Sequence, residues 1–300
     1  MTKELKQPGG RIPVGERTFE IVDLILLILI GCMMLFPFLN TIAKSFSGNS
    51  AITTGKVSVW PVDFHLGAYK YVARTSQFWQ SLCNSLVITL GGSIAALAVT
   101  CLTAYPLSKS WLYGRKPLIV FFVFTMLFSG GMVPNYLLMR TLGLINTLWV
   151  LVLPVLLSAF NMILLKNFFE EIPAEVEESA QLDGASNLRV LFSIVLPMSL
   201  PALATVGLFY AVGFWDNYMS GLLYITKPEL RPLQTYLYQV VTEAMNIDQN
   251  MGMDAAENAA LNTEGIRAST IVLSCIPIMC VYPFLQKYFV KGMRVGSVKG

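Results

Sequence analysis

Long apolar stretches alternate with short polar segments along this chain of 300 residues. Six of the stretches are long enough to cross about 30 Å of hydrocarbon as helices that rise about 1.5 Å per residue. Lipid offers no partners for backbone hydrogen bonds, so each stretch is predicted to be a membrane-spanning α-helix. The predicted spans are residues 21–43, 82–105, 117–133, 148–165, 198–222 and 268–287.

The composition supports an integral membrane protein. Charged residues make up 13% of the chain and hydrophobic residues 55%, whereas a soluble domain carries about 25% charged residues. We therefore expect an all-α fold with a cytoplasmic segment at 1–20, a six-span domain at 21–289 and a cytoplasmic tail at 290–300. The net charge of +3 is not gathered into a basic face, so nucleic acid is not an expected partner.

The distribution of lysine and arginine predicts the orientation of the spans. With the N-terminus in the cytoplasm, the inside segments hold 13 basic residues in 70 positions, and the outside segments hold 8 in 96. Cytoplasmic loops carry such an excess of basic residues. The pattern predicts a multi-pass protein of a bacterial cell membrane with both termini in the cytoplasm, and it places residues 170–197 in the cytosol.

Residues 170–197 form the only long segment rich in acidic side chains. Pro173 suits the start of a helix, and three glutamates near it would lie at the positive end of the helix dipole. Gly184 can end the helix in a left-handed conformation. These features predict a stiff helix of about eleven residues, roughly 16 Å long. Charge alone leaves two interpretations open: a solvated interfacial helix, or an element that transmits the motion of a cytosolic partner.

The fifth span contains aromatic and polar residues that suit a carbohydrate path. Aromatic rings can stack on sugars, and amides and carboxylates can bind hydroxyl groups. An ionisable group within a span normally faces a cavity or a partner. The alternative interpretation is an aromatic belt combined with helix packing. The candidates are Tyr210, Phe214, Trp215, Asp216, Asn217 and Tyr218, with Asn161 and Asn84 as weaker ones.

No arrangement of residues predicts catalysis, metal binding or nucleotide binding. His65 is the only histidine, so a serine or cysteine nucleophile lacks its usual base. The five cysteines all lie in apolar runs, which is typical of packing residues. The stretch SAITTGKV lacks the first glycine and the final Ser or Thr of a phosphate-binding loop. We expect a chain that is not an enzyme and holds neither metal nor cofactor.

A spacing pattern within residues 178–197 resembles a known family. Glu178-Ser179-Ala180, three residues, Gly184, nine residues, Ile194, one residue and Leu196-Pro197 match the EAA motif of permease subunits in binding-protein-dependent ABC importers. Ser179 in place of the second alanine is the one departure. Segments such as GGMVPNYLLMRTLGLINTLW and FWDNYMSGLLYI also look like MalG-like carbohydrate permeases, above all the LplC- and YtcP-type subunits of Gram-positive bacteria.

The resemblance implies a MalG-like fold of six transmembrane helices, with a cytoplasmic coupling helix between spans 4 and 5. It implies a permease subunit of an ATP-driven importer that moves an oligosaccharide. Its partners would be a second, homologous permease, two copies of a cytosolic ATPase that binds the ATP and Mg, an extracellular solute-binding lipoprotein and membrane lipid. The implied coupling residues are Glu175, Glu178, Ser179, Ala180, Asp183, Gly184, Ile194, Leu196 and Pro197.

Two points stay open at the level of sequence. The same importer class carries other solutes, such as amino acids or polyamines. A secondary carrier is a further alternative, although the ionisable relay and inverted repeats of such carriers are not visible in the spans. By position, the loop at 244–263 corresponds to the loop with which MalG-like proteins reach the binding protein, and its composition equally suits a solvated loop.

Overall fold

The computed structural model describes residues 14–250 and 263–296, and the side chains of 19–242 and 263–280. Every regular element within these ranges is helical, which confirms the all-α prediction. The first seven helices are α1 (Val14–Ser45), α2 (Asn49–Thr53), α3 (Gly67–Arg74), α4 (Ser76–Ser108), α5 (Arg115–Leu127), α6 (Met132–Thr141) and α7 (Ala159–Glu170). The remaining seven are α8 (Ala174–Leu182), α9 (Asn187–Val190), α10 (Leu196–Met198), α11 (Leu200–Trp215), α12 (Tyr218–Tyr224), α13 (Leu233–Asn250) and α14 (Thr263–Gly296).

Six segments of the described chain could cross a membrane by length and composition. Three are single helices: Phe19–Ser45 in α1, Ser76–Ser108, and Thr263–Cys280 in α14. The other three are pairs of helical segments that bend sharply at a short break, by 110° after α5, by 52° before α7 and by 87° before α11. If each bent pair is one crossing, the structure has the six spans that the sequence predicts.

The third predicted span, 117–133, is not a single helix. Helix α5 ends at Leu127, and Gly131 has a φ of +86°, which a residue with a side chain rarely adopts. The sequence suggests that Pro134 ends this helix; in the structure it lies in the first turn of α6. That position needs no backbone N–H, so the proline is compatible with the start of a helix there.

The fourth predicted span, 148–165, begins as two 3₁₀ turns, Leu148–Leu151 and Leu153–Val155. Pro154 lies in the second turn, and the α-helix starts only at α7, where the Ser158 hydroxyl accepts a hydrogen bond from the Asn161 amide. The sequence suggests that Asn146 or Thr147 caps this span. Instead the Asn146 side-chain oxygen accepts hydrogen bonds from Thr226 and Lys227.

The fifth predicted span, 198–222, is interrupted. Helix α11 ends at Trp215, and the Asn217 side chain caps α12 by accepting a hydrogen bond from the Ser220 amide at 3.3 Å. Tyr210 and Phe214 therefore share one helix, while Asn217 and Tyr218 belong to the next. The apolar content of 198–222 does not indicate this break. The Asp216-Asn217 pair does not indicate it either, since polar residues also occur inside a helix that faces a cavity.

The chain divides into two compact units. The first contains residues up to Lys70 together with 252–272, so it includes α1, α2 and the start of α14. Within it Lys44 forms an ion pair with Glu264 at 3.0 Å, and Tyr69 lies 2.8 Å from the Ser45 hydroxyl. Burial raises the pKa of Tyr69. The side chains of α1 along the predicted span are almost all exposed.

The second unit contains residues 71–251 and 273–300 and is centred on α4. Helix α4 packs against α11 and α7, and α7 packs against α5. Helix α4 carries Gly92, Ala96, Thr100 and Ala104 at four-residue spacing, a pattern that favours close helix packing, and all four are buried. Gly92 lies beside the ring of Phe214, and the Thr100 hydroxyl lies 2.7 Å from the Tyr210 hydroxyl. These two small residues therefore contact α11.

Candidate functional site

Helix α8 confirms the bounded helix predicted within the acidic segment. It runs for nine residues, starts directly after Pro173 and has two glutamates in its first turn. Gly184 has a φ of +83°. The Gly184 amide donates to the Gln181 carbonyl at 3.0 Å, and the Ala185 amide donates to the Ala180 carbonyl at 2.9 Å. This left-handed glycine closes the helix and turns the chain sharply.

The chain then returns to the core through α9, a π-helical turn at Leu191–Val195, and α10. The sequence offers Ser186 or Asn187 as the cap of this piece, and the Ser186 hydroxyl caps α9 by accepting a hydrogen bond from the Arg189 amide. Leu191 and Val195 are fully buried, whereas Leu188 and Phe192 are exposed, so this piece packs by one side only. The motif residues Ile194 and Leu196 are partly buried against the same core, and Pro197 is exposed.

A buried ion pair fastens α8 to α4. Glu177 is only 6% exposed, and its carboxylate accepts hydrogen bonds from Lys109 Nζ at 2.5 Å and from the Tyr105 hydroxyl at 3.4 Å. Lys109 directly follows the last residue of α4. Sequence reasoning did not single out Glu177, because it looks like its exposed neighbours. The available signal was Lys109, the first of three basic residues after span 2 on the side predicted for the acidic segment.

A second ionic cluster lies where α5 begins and α7 ends. The Glu170 carboxylate accepts from Arg115 and from Lys166, the latter at 2.8 Å. Arg115 also donates through Nε to the Leu107 carbonyl at 2.8 Å. Lys166 is buried, which is expensive for a charge unless it is paired. These contacts connect the end of α4, the start of α5 and the end of α7, which lies just before α8 in the chain.

The remaining polar residues of α8 face outward. The implied coupling residues Glu175, Glu178, Ser179 and Asp183 are exposed, and Ala180 is half-buried. Leu182, at the end of α8, is 89% exposed. One exposed apolar side chain does not by itself define a partner surface, but it adds an apolar group to the acidic outer face of α8. Neither the motif nor the charge pattern pointed to Leu182.

A pocket of about 400 Å³ lies between α7, α11 and α12. It combines aromatic rings with amide, hydroxyl and carboxylate groups, which is the mixture expected of a site for a hydroxyl-rich ligand. Asp216 is the one charged side chain among the described residues of its wall. The lining residues are Val155, Ser158, Asn161, Phe209, Tyr210, Gly213, Phe214, Asp216, Asn217 and Ser220.

The pocket brings together five of the eight residues predicted for the substrate path. Tyr210 holds the wall in place, because its hydroxyl lies 2.7 Å from Thr100 Oγ1 and accepts a hydrogen bond from the Ser158 amide at 3.0 Å. Asn161 is buried, Phe214 is buried beside Tyr210, and Asp216 is exposed.

The other three predicted path residues are not part of the wall. Trp215 is buried, and its indole N–H has no hydrogen-bond partner among the described residues. Tyr218 stacks on Tyr238 at 5.9 Å between ring centroids. Asn84 is used elsewhere, since its amide donates to the carbonyls of Glu229 and Arg231. These three remain predictions for a path that extends beyond the pocket.

Two other predictions concern metal binding and the loop at 244–263. Among the described residues, no group of three or more His, Cys, Asp or Glu side chains could hold a metal ion. Of the loop predicted at 244–263, residues 244–250 continue α13, and residues 251–262 lie outside the described residues.

Comparison with known proteins identifies the family. The family described as "Binding-protein-dependent transport system inner membrane component" matches residues 110–295. Protein LplC of Bacillus subtilis (strain 168) is 43% identical over 95% of this chain and 96% of its own length. The polygalacturonan/rhamnogalacturonan transport system permease protein YtcP of the same organism is 40% identical over 95% of this chain and 99% of its own length.

A solved structure agrees with these relatives. In the crystal structure of a bacterial ABC transporter involved in the import of the acidic polysaccharide alginate, one chain matches with a TM-score of 0.87 and 34% identity, covering 93% of this chain and 99% of that chain. The present chain belongs to the family of binding-protein-dependent transport system inner membrane components. It is a multi-pass membrane permease of the ABC-importer class, as the EAA spacing predicted, and a transport subunit rather than an enzyme.

Proposed function

We propose that this chain imports an oligosaccharide as one of two homologous permease subunits, driven by two copies of a cytosolic ATPase and supplied by an extracellular solute-binding lipoprotein. ATP and Mg belong to the ATPase. Both termini and α8 lie in the cytosol, and the domain boundaries are those predicted at 1–20, 21–289 and 290–300. The family supports this arrangement, because its members work in binding-protein-dependent transport systems.

The observation that carries the proposal is the construction of α8. Its two ends are fixed by Pro173 and Gly184, and its inner face is held by Glu177. Its outer face offers exposed acidic residues and the exposed Leu182. A short, rigid helix with a mixed acidic and apolar outer face is suited to docking in a cleft of another protein. We assign that cleft to the ATPase.

The coupling residues then have distinct tasks. Glu175, Glu178, Ser179 and Asp183 form the polar part of the docking face. Ala180 packs toward the core, and Gly184 provides the turn. Ile194, Leu196 and Pro197 attach the returning chain to the membrane helices. Closure of the ATPase pair on ATP would displace α8 and open the path outward, and hydrolysis would reset it.

The chemistry of the pocket and the names of the relatives both support an oligosaccharide as the transported solute. Tyr210 and Phe214 contribute aromatic rings to the wall, while Asn161, Asp216 and Asn217 contribute amide and carboxylate groups of the kind that bind hydroxyls. Trp215, Tyr218 and Asn84 are assigned to the continuation of the path. YtcP is named for polygalacturonan and rhamnogalacturonan, and the solved transporter imports alginate. Residues 244–263 are assigned to contact with the binding protein, by position in the chain.

The test is purification of the complex from its native membrane, followed by assays of ATP hydrolysis with the co-purified binding protein. The panel should contain neutral and uronic-acid oligosaccharides, because Asp216 is the one charged side chain among the described residues of the pocket wall, whereas YtcP is named for polygalacturonan and rhamnogalacturonan and the solved transporter for the acidic polysaccharide alginate. We expect oligosaccharides to stimulate hydrolysis. Stimulation by amino acids or polyamines instead would contradict the substrate class. Unchanged stimulation after deletion of 251–262 would contradict the loop assignment.

A further inference from the structure

Helix α4 contacts both candidate sites. Near its C-terminal end, Tyr105 and the adjacent Lys109 hold Glu177 of α8. In its middle, the Thr100 hydroxyl lies 2.7 Å from the Tyr210 hydroxyl at the pocket wall. The distance along the helix from Gly92 to Lys109 is about 25 Å, at about 1.5 Å per residue. One continuous helix therefore connects the anchor of α8 to the residues that shape the pocket.

The covalent route between the same two sites is less direct. From α8 the chain passes through α9, a π-helical turn and α10, and it bends by 87° before α11 begins. The hydrogen-bond pattern of the backbone changes at each of these junctions. Helix α4, in contrast, is α-helical from Ser76 to Ser108, with Pro106 in its last turn removing one backbone hydrogen bond. A displacement applied at its C-terminal end is therefore carried by one helix and not by a series of short ones.

The anchor between α8 and α4 is strong enough for such a role. Glu177 is 6% exposed, and the side chain of Lys109 is 13% exposed. Separation of a buried ion pair leaves two poorly solvated charges, which is strongly unfavourable. Movement of α8 without α4 would require that separation. The two helices should therefore move together.

The contact at the pocket is equally close. A Cβ atom built on Gly92 would lie 3.0–3.2 Å from three ring atoms of Phe214, so there is no gap between α4 and that ring. The Tyr210 hydroxyl joins Thr100 of α4 to the Ser158 amide at the start of α7. Any shift of α4 must displace these aromatic rings, because close-packed interiors transmit displacement.

We propose that the Lys109–Glu177 ion pair transfers the movement of α8 to α4, and that α4 transfers it to Tyr210 and Phe214 at the pocket. This inference rests on the proposed role of α8 as the ATPase-docking helix. Lys109, Glu177 and Thr100 act as positioning residues, since none of them lines the pocket. The covalent path through α9 and α10 is secondary.

The experiment uses the purified complex reconstituted in lipid vesicles and needs no knowledge of the transported solute. A reporter, Ser220→Cys, is placed in the pocket wall of every variant, and its modification by a membrane-impermeant maleimide is quantified by mass spectrometry of the peptide that contains position 220. Labelling is compared without nucleotide and after trapping with ATP and vanadate. ATP hydrolysis is measured on the same samples.

We expect trapping to change the labelling rate of the otherwise unaltered complex by about fivefold or more, the lower end of common coupling strengths. In Glu177→Gln, ATP hydrolysis should continue while the labelling change falls below about twofold. The exchanged pair, Lys109→Glu with Glu177→Lys, should restore most of the change. Glu171→Gln is the matched control, because Glu171 is exposed and six residues earlier in the chain, and it should behave as the parent.

Thr100→Val tests the second contact and leaves the ion pair intact. The Thr100→Val complex should also hydrolyse ATP but show little of the labelling change. It provides the test if Glu177→Gln lowers the yield of complex. A full labelling change in Thr100→Val, or in an assembled Glu177→Gln complex, would overturn the proposal. If no ATPase co-purifies with the parent, or its reporter does not respond to nucleotide, the proposed function itself has failed.

Discussion

Gly92 of α4 lies against the ring of Phe214 of α11, so closely that a Cβ atom at position 92 would be 3.0 Å from Phe214 Cζ. Phe214 also lines the pocket. The glycine is therefore required by the approach of an aromatic ring, not by backbone conformation. Through this contact a residue of α4 that does not line the pocket determines the position of one that does.

Gly92→Ala should disturb both packing and transport. The added methyl group has to displace the Phe214 ring, and such overpacking costs about 1–3 kcal/mol. We expect a lower thermal midpoint of the detergent-purified complex and a changed half-saturating substrate concentration for uptake. Gly207→Ala is the matched control at the same α4–α11 contact, because its Cβ would meet only Leu97 at 3.7 Å. Equal behaviour of the two variants would contradict the packing role.

Gly184→Pro should abolish uptake while the protein still inserts in the membrane. Proline cannot adopt the φ of +83° at this position, and it removes the amide that donates to Gln181. The turn after α8 would therefore reorganise, and the docking face would lose its position. Gly184→Asn should retain most of the activity, since asparagine tolerates the left-handed region. Normal uptake by Gly184→Pro would refute the role assigned to α8.

Leu182→Asp should weaken attachment of the ATPase without unfolding the permease. The side chain is 89% exposed, so its replacement removes no internal packing. Loss of one buried apolar side chain from an interface costs about 1.5–3 kcal/mol, or about tenfold or more in affinity. Co-purification of the ATPase is the measurement. Leu142→Asp, which changes another exposed leucine at the end of α6, should have no effect.

Asp216→Leu should change transport kinetics and leave assembly unaltered. Asp216 is the one charged side chain among the described residues of the pocket wall and is exposed, so its removal alters the ligand environment and no packing. Asn217 needs a different substitution, because its side chain caps α12. Asn217→Leu should cost about 1 kcal/mol through the lost cap, whereas Asn217→Ser retains it. Unchanged uptake kinetics in Asp216→Leu would show that Asp216 does not contribute to the substrate path.

The sequence predicted the helical class, the number of apolar segments and the bounds of α8 from short-range features. Pro173 and Gly184 determine local backbone geometry, which is why that helix could be read directly. Pro154 inside predicted span 4 indicates a kink, and that span does bend, by 52° before α7. The breaks inside spans 3 and 5 were not foreseen. Apolar content measures preference for lipid, and it does not reveal a turn that neighbouring helices cover.

The site was predicted only where residue type is informative in itself. The aromatic and amide residues of the pocket stood out as unusual within a span. Glu177 and Leu182 did not, since a glutamate and a leucine are ordinary residues in an amphipathic helix. Their roles arise from long-range contacts and exposure: Glu177 depends on Lys109, 68 residues earlier. The contact of Asn84 was equally out of reach, because its amide donates to two backbone carbonyls about 145 residues further along the chain; its place in the path stays a prediction.

The central claim is that this permease imports an oligosaccharide at the expense of ATP hydrolysed by its partner. The most direct measurement is uptake of labelled oligosaccharide into vesicles that contain the purified complex, with ATP enclosed and the binding protein added outside. We predict uptake that requires both ATP and the binding protein and that Gly184→Pro eliminates. Uptake that persists without ATP, or in vesicles that contain this chain without its ATPase, would contradict the account.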